Sequence, residues 1–161
     1  LYGNTNKNNM TRQERQFLKD LQLKHKMEKY PNTPPHMLAL NHWNDNSANE
    51  LTKSVIAFLQ FNKCQAERIN TMGVYRKKYR TDGVAIGGQW TKGTGTPGSA
   101  DISATIKGRS VKIEIKYGKD RQSQAQKDYQ KAIEEAGGTY IIVKTFADML
   151  KFYDEFTQVI K

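Results

Sequence analysis

Hydrophobic and polar residues alternate most strictly between positions 102 and 116. Ile102, Ala104 and Ile106 are spaced by Ser103 and Thr105, and Val111, Ile113 and Ile115 by Lys112 and Glu114, with Lys116 following. A period of two marks strands with one buried face. The interruption Lys107-Gly108-Arg109-Ser110 predicts a tight turn, so the two runs form a hairpin. Pairing Ile106 with Val111 sets Ala104 against Ile113, Ile102 against Ile115 and Asp101 against Lys116. All six apolar side chains then share one face. Asp101, Glu114 and Lys116 share the other, with Asp101 diagonal to Glu114 at roughly 7–8 Å between Cα atoms.

Elsewhere the period is helical. Residues 11–30 open with Thr11 and Glu14 at capping-box spacing and carry a thin stripe of Phe17, Leu18, Leu21 and Met27. Lys7, Lys19, Lys24, Lys26 and Lys29 lie in or beside this helix, and Pro31, Pro34 and Pro35 end it. It reads as a basic accessory helix docked on the domain, or as a DNA-contacting arm or dimer contact. Residues 47–62 form the next helix, with Ser47 and Glu50 as its capping box and Leu51, Val55, Phe58, Leu59 and Asn62 on one face. A short strand is expected at 65–71. Tyr75-Arg76-Lys77-Lys78-Tyr79-Arg80 follows, closed by a turn at Asp82-Gly83. Between Gly83 and Gly98 lie half of the 12 glycines. That stretch suits either close approach to a phosphate backbone or a mobile connection.

Beyond the hairpin, Ser123 and Gln126 cap a helix over 123–136 whose buried stripe is Ala125, Tyr129, Ala132, Ile133 and Ala136, stopped by Gly137-Gly138. Thr139 to Val143 is wholly apolar in character and predicts a strand inside the sheet with both faces covered. Thr145 caps a last helix with Phe146, Met149, Leu150, Tyr153, Phe156 and Ile160 inward. A strand-helix-strand crossover from 111–117 to 139–143 implies a parallel pair, hence an α/β mixed sheet flanked by helices. The chain divides into an N-terminal helix and linker, 1–46, and a principal domain, 47–161.

Charge adds a partner to this outline. Twenty-six basic against 16 acidic residues give a net charge of +10 over 161 residues, which points to a polyanion, most often a nucleic acid. No apolar run approaches the ~18 residues of a bilayer span, and the polar first ten residues predict no signal peptide. A single cysteine, Cys64, excludes an internal disulfide or a cysteine zinc cluster and suits a reducing, intracellular compartment. His25, His36 and His42 lack metal-binding spacing. No phosphate-binding loop or dinucleotide fingerprint is present.

Two carboxylates held together are tolerated where a divalent cation lies between them, and oxygen ligands favour Mg²⁺ or Mn²⁺. A neighbouring lysine can stabilise charge on a scissile phosphate or hold the attacking water. The plainer reading of Asp101, Glu114 and Lys116 is a salt-bridged pair on a solvated sheet face. Tyr75 to Arg80 places four cations among stacking tyrosines, a pattern suited to nucleic acid, or else to a solvated hairpin.

The ordered set Glu50, Gly95-Thr96-Pro97-Gly98-Ser99-Ala100-Asp101, Glu114-Ile115-Lys116, Gln126 and Gly137-Gly138 before an apolar strand resembles the PD-(D/E)XK nuclease superfamily, and within it the VRR-NUC type. Twelve residues separate Asp101 from Glu114, and the likeness spans roughly residues 47–146. Ala100 stands where that family has proline, and its arginine-rich motif is not evident. The resemblance implies a restriction-endonuclease-like core and a Mg²⁺-dependent endonuclease of DNA. Asp101 and Glu114 would hold the metal with the Ile115 carbonyl, and Glu50 would reach it from the first helix of the domain, with Glu67 as the rival carboxylate. Lys116 would position or activate water, with Gln126 beside it. Arg76, Lys77, Lys78, Arg80 and Lys119 would contact the nucleic acid. Family analogy further implies a homodimer acting on branched DNA such as Holliday junctions. The alternatives are a non-catalytic nucleic-acid-binding module on the same fold and an RNA-directed nuclease.

Overall fold

The computed structural model describes residues 9–69, 73–91, 93 and 95–159. The alternating runs form the expected hairpin, but a tighter one. β4 (Ile102–Ile106) and β5 (Arg109–Ile115) are antiparallel, with Ile106 opposite Arg109, Ala104 opposite Val111 and Ile102 opposite Ile113. Lys107 and Gly108 alone make the turn, at φ 49° and 80°. Two successive left-handed residues give the two-residue turn whose twist matches that of the flanking strands. The four-residue turn read from sequence is thus corrected, and the register moves by two. An even shift leaves every side chain on its own face. Ile102, Ala104, Ile106, Val111, Ile113 and Ile115 are therefore all buried, as the alternation requires. The partner of Asp101 changes, however: one step beyond Ile102 and Ile113, it comes level with Glu114 rather than Lys116.

The main sheet has the order β1 (Gln65–Arg68), β4, β5, β6 (Thr139–Val143). β1, β4 and β5 are antiparallel neighbours, and β5 and β6 are parallel, joined through α3 (Gln124–Glu135) as the strand-helix-strand order implies. The architecture is mixed α/β, with four α-helices and a mixed four-stranded sheet among the described residues. β6 is an edge strand, not the interior strand expected from its apolar run, and Ile142 is 38% exposed. Its alternate residues serve different layers. Ile141 and Val143 join the core, while Tyr140 is covered on the opposite face beside Tyr129 of α3, ring centroids 6.3 Å apart. The alanine stripe expected to bury α3 is likewise corrected. Ala125, Ala132 and Ala136 stay exposed, and the helix meets the sheet through the longer side chains of Gln126, Tyr129 and Ile133, all half-buried. α3 lies over the polar face of β5, where methyl groups find no apolar layer to enter.

The apolar face carries α2 (Ala48–Phe61) and α4 (Phe146–Gln158). Leu51, Val55, Phe58 and Leu59 of α2 and Phe146 and Met149 of α4 are buried in one cluster, with Phe58 set edge-on to Phe146 and Tyr153. Ile160, expected on the same stripe, lies outside the described residues, as do Lys7, Asn70 and Thr71. α1 (Arg12–Lys29) has the full Thr11–Glu14 capping box, and its Leu18 enters this same core with Met10 and Trp43. Phe17 and Met27, by contrast, remain largely exposed. Gln22 Oε1 accepts hydrogen bonds from the Asn41 amide at 2.9 Å and from Trp43 Nε1 at 3.2 Å, which pins the linker to α1. The buried Asp45 carboxylate accepts from the amides of Met10 and Phe146 and so ties the N-terminal segment to the start of α4.

β2 (Val74–Tyr79) and β3 (Ala85–Thr91) form a separate two-stranded antiparallel ribbon. The first part of the glycine-rich stretch is thus a strand, with Gly87 and Gly88 inside it.

Candidate active site

β5 ends where α3 begins to cover it, and the site is built there. Glu114 and Lys116 alternate on the polar face of the strand and are 2% and 6% exposed, values usual for the apolar core. Lys116 Nζ lies 2.9 Å from Glu114 Oε1 and 3.5 Å from Asp120 Oδ2. Gln126, at the third position of α3, links helix and strand. Its Nε2 donates to Glu114 Oε1 at 2.5 Å, and its Oε1 accepts from Lys116 Nζ at 2.9 Å and from the Ser123 amide at 2.9 Å. One side chain therefore completes the capping box of α3 and bridges the buried ion pair. The Tyr140 hydroxyl donates to Glu114 Oε2 at 3.3 Å from β6.

Asp101 stands just before β4. Its Oδ2 accepts from the Ile115 amide at 2.8 Å, while Oδ1 has no hydrogen-bond partner among the described residues. Gly98, at φ 76°, lets the preceding loop reach the first turn of α3; a Cβ there would lie 2.2 Å from the Ala125 carbonyl oxygen. The Gly-Thr-Pro-Gly approach thereby places Asp101 and the start of α3 on the same edge of β5.

Burial raises the Glu114 carboxyl above the ordinary carboxylate range. The Lys116 hydrogen bond opposes that shift, and the Asp101 charge reinforces it. For Lys116 the largest influence, burial, pulls the other way, yet the hydrogen bond and charge of Glu114, joined by Asp120, outweigh it and hold the ammonium form. Tyr140 is pushed up to about 12, chiefly by burial and also by the charge of Glu114, so its hydroxyl remains a donor. A buried ion pair with perturbed titration is a common feature of functional sites.

Asp101, Glu114, Lys116 and Gln126 are thus brought together, with Ile115 between them. Glu50 is placed differently. Its amide is capped by Ser47 Oγ at 3.2 Å, but the reciprocal half of the expected capping box is not formed. Its side chain borders a cavity of about 250 Å³ with His42, Trp43 and Lys53. Asn49 Oδ1 accepts from Arg68 Nη1 at 2.8 Å, and Arg68 pairs with Ile102, so the first turn of α2 stands at the Asp101 end of the sheet. Glu67 is exposed and opposite Ser103, on the same sheet face as Asp101 and Glu114 but one strand from the former and two from the latter. Among the described residues, no three His, Cys, Asp or Glu side chains are grouped to hold a metal ion. Lys119 is exposed in the turn after Lys116, and Arg76, Lys77, Lys78 and Arg80 lie on the ribbon.

Tyr140 and Asp120 join the site without having been picked out in sequence. Asp120 is four residues after Lys116. Tyr140 is visible only once the parallel register, with Lys112 opposite Tyr140, is known.

The oxygen donors suit a hard divalent cation. Lys116 and Gln126 occupy Glu114 Oε1, which leaves Oε2, with its single long bond from Tyr140, and the unengaged Oδ1 of Asp101. Compared with protein-family models and with curated proteins, the chain matches none. No described helix is long and apolar enough to cross a membrane.

Proposed function

We propose that the chain is a Mg²⁺- or Mn²⁺-dependent nuclease that hydrolyses phosphodiester bonds of DNA on a restriction-endonuclease-like core. The observation that carries this reading is the buried Glu114–Lys116 pair bridged by Gln126, with Asp101 level with Glu114. An ion pair at 2–6% exposure loses hydration that its mutual attraction restores only in part, so its purpose is unlike that of a surface salt bridge. Asp101 and Glu114 would hold the cation, which when bound supplies Lewis-acid stabilisation of the phosphate and of the attacking oxygen. Lys116 keeps its proton and points positive charge at the site, where negative charge builds on the phosphate. Gln126 holds both Glu114 and Lys116 in place, and Tyr140 steadies Glu114 Oε2 from the β6 side. Glu50 and Glu67 are the candidates for a further ligand, although neither is grouped with Asp101 and Glu114 among the described residues.

The test is cleavage of labelled linear, single-stranded, flap and four-way DNA, and of matched RNA, with Mg²⁺, Mn²⁺ or EDTA. Metal-dependent cutting that disappears in Glu114→Ala and Lys116→Ala is expected. Binding without cutting under any metal would refute the enzyme and leave a nucleic-acid-binding module. Sedimentation of the DNA-bound protein tests the homodimer that family analogy implies.

A further inference from the structure

Every residue from Tyr75 to Thr91 is exposed, yet this ribbon carries Tyr75, Tyr79 and Trp90 at 53%, 61% and 60% exposure. None of the three serves the core. The strand period sorts the segment into two faces. Tyr75, Lys77 and Tyr79 point one way, and Arg76 and Lys78 the other. Tyr75 is opposite Trp90 and Arg76 opposite Gln89, so Trp90 joins the tyrosine face. The register slips between Lys77 and Tyr79 on the β3 side, where Gly87 takes φ 119°.

Both rings of the central pair rest on glycine. A Cβ at Gly88 would lie 2.2 Å from Tyr75 Cζ, and one at Gly73 would lie 2.7 Å from Trp90 Nε1. Aromatic rings laid across a neighbouring glycine gain a packing surface that a two-stranded ribbon otherwise lacks. The glycines therefore give Tyr75 and Trp90 fixed positions with their outer faces open to solvent. Around them, Arg76, Lys77 and Lys78 have no ion-pair partner among the described residues, while the one acid of the ribbon, Asp82, is paired with Arg80.

We infer that the β2–β3 ribbon is a binding site for unpaired nucleotides. Bases stack on Tyr75 and Trp90, Lys77 takes a phosphate on the same face, and Arg76 and Lys78 reach round the edge to the flanking phosphates. A ribbon two strands wide, about 4.8 Å between strands, is narrow enough for side chains of that length to do so. Bases already stacked in a duplex offer no free face, so stacking selects the single strand, and the cations alone serve the duplex. Charge favours this occupant over a second copy of the ribbon, since the uncompensated Arg76, Lys77 and Lys78 would then face cations of their own kind. The inference adds a ligand site to the proposed nuclease but does not need its chemistry, so binding is measured in EDTA.

Fluorescence anisotropy with an unpaired oligothymidine and a blunt duplex of equal length is the experiment. Tyr75→Ala and Trp90→Ala should each weaken oligothymidine binding about 10-fold, with duplex binding little changed. Trp90→Phe should retain most of the affinity yet lose the quenching of tryptophan emission seen with the wild type. Arg76→Ala with Lys78→Ala should weaken both ligands and flatten their salt dependence. Unaltered melting of each variant excludes a folding effect. Equal affinity of the Tyr75 and Trp90 variants and wild type for oligothymidine overturns the site, as does a wild-type dimer that Trp90→Ala dissociates. Cutting that persists with either result refutes only the ribbon; absence of cutting with intact ribbon selectivity refutes only the nuclease.

Discussion

Replacing Lys116 with methionine tests whether the buried pair is the electrostatic centre of the fold. The two charges lie 2.9 Å apart. At an effective dielectric of about 20, the attraction lost is roughly 6 kcal/mol. Glu114 keeps its bonds from Gln126 and Tyr140 and can take up a proton, so the expected cost near pH 8 is about 3–5 kcal/mol, a large part of the ~5–15 kcal/mol typical of a domain. Loss of Lys116 removes an influence that lowers the Glu114 carboxyl and so raises it further above that of an ordinary glutamate. A carboxyl raised in the folded state contributes stability that is complete below its unfolded value and is lost as pH rises through its folded one. The penalty for Lys116→Met should therefore be smallest at acid pH, where Glu114 is neutral in both proteins, grow by about 1.4 kcal/mol per pH unit between the wild-type folded value and the variant's higher one, and level off above that. Urea denaturation followed by the emission of buried Trp43, at pH 5 and pH 8, measures it. Adding Glu114→Gln to Lys116→Met removes the orphaned charge and should restore stability at pH 8 to within about 1 kcal/mol of wild type. A penalty equal at both pH values, or a double variant no more stable than the single one, would refute the reasoning.

Two further outcomes follow from the same geometry. The proposed cation would need the ionised Glu114, whose carboxyl is raised, so Mg²⁺ affinity should fall with decreasing pH sooner than at an ordinary glutamate; Tyr140→Phe, which removes a bond that lowers this carboxyl, should move that fall to higher pH, as isothermal titration would show. Gly98→Ala adds left-handed strain of about 1–2 kcal/mol to a Cβ set 2.2 Å from the Ala125 carbonyl oxygen. It should lower the melting temperature and, by displacing α3 with Gln126, reduce cleavage more than Gly108→Ala, whose Cβ meets open space.

Local pattern carried much of this protein. Alternation from Ile102 to Ile115 determined which side chains would be buried, and an even register error could not disturb that, because the period of a strand is two. The capping residues Thr11, Ser123 and Thr145 marked their helices correctly, since a cap is a contact over three residues. Asp101, Glu114 and Lys116 were legible as a set for the same reason of spacing, whereas spacing marked Gln126 only as a cap and the resemblance placed it beside the lysine; their convergence follows from the hairpin and the helix after it. What tertiary structure alone decided is where layers end and which registers pair. The Thr139–Val143 strand is apolar enough for an interior position, but nothing supplies it with a second neighbour among the described residues, so Ile142 remains open. The alanines of α3 are apolar yet exposed, because the sheet below them presents an ion pair rather than a core. Tyr140 reached Glu114 through a parallel register that no local signal encodes. The left-handed Lys107-Gly108 turn settled that Asp101 faces Glu114 instead of Lys116. That choice sets the charge of Asp101 beside the buried Glu114–Lys116 pair, and it depends on two backbone angles that pairing across the whole hairpin enforces.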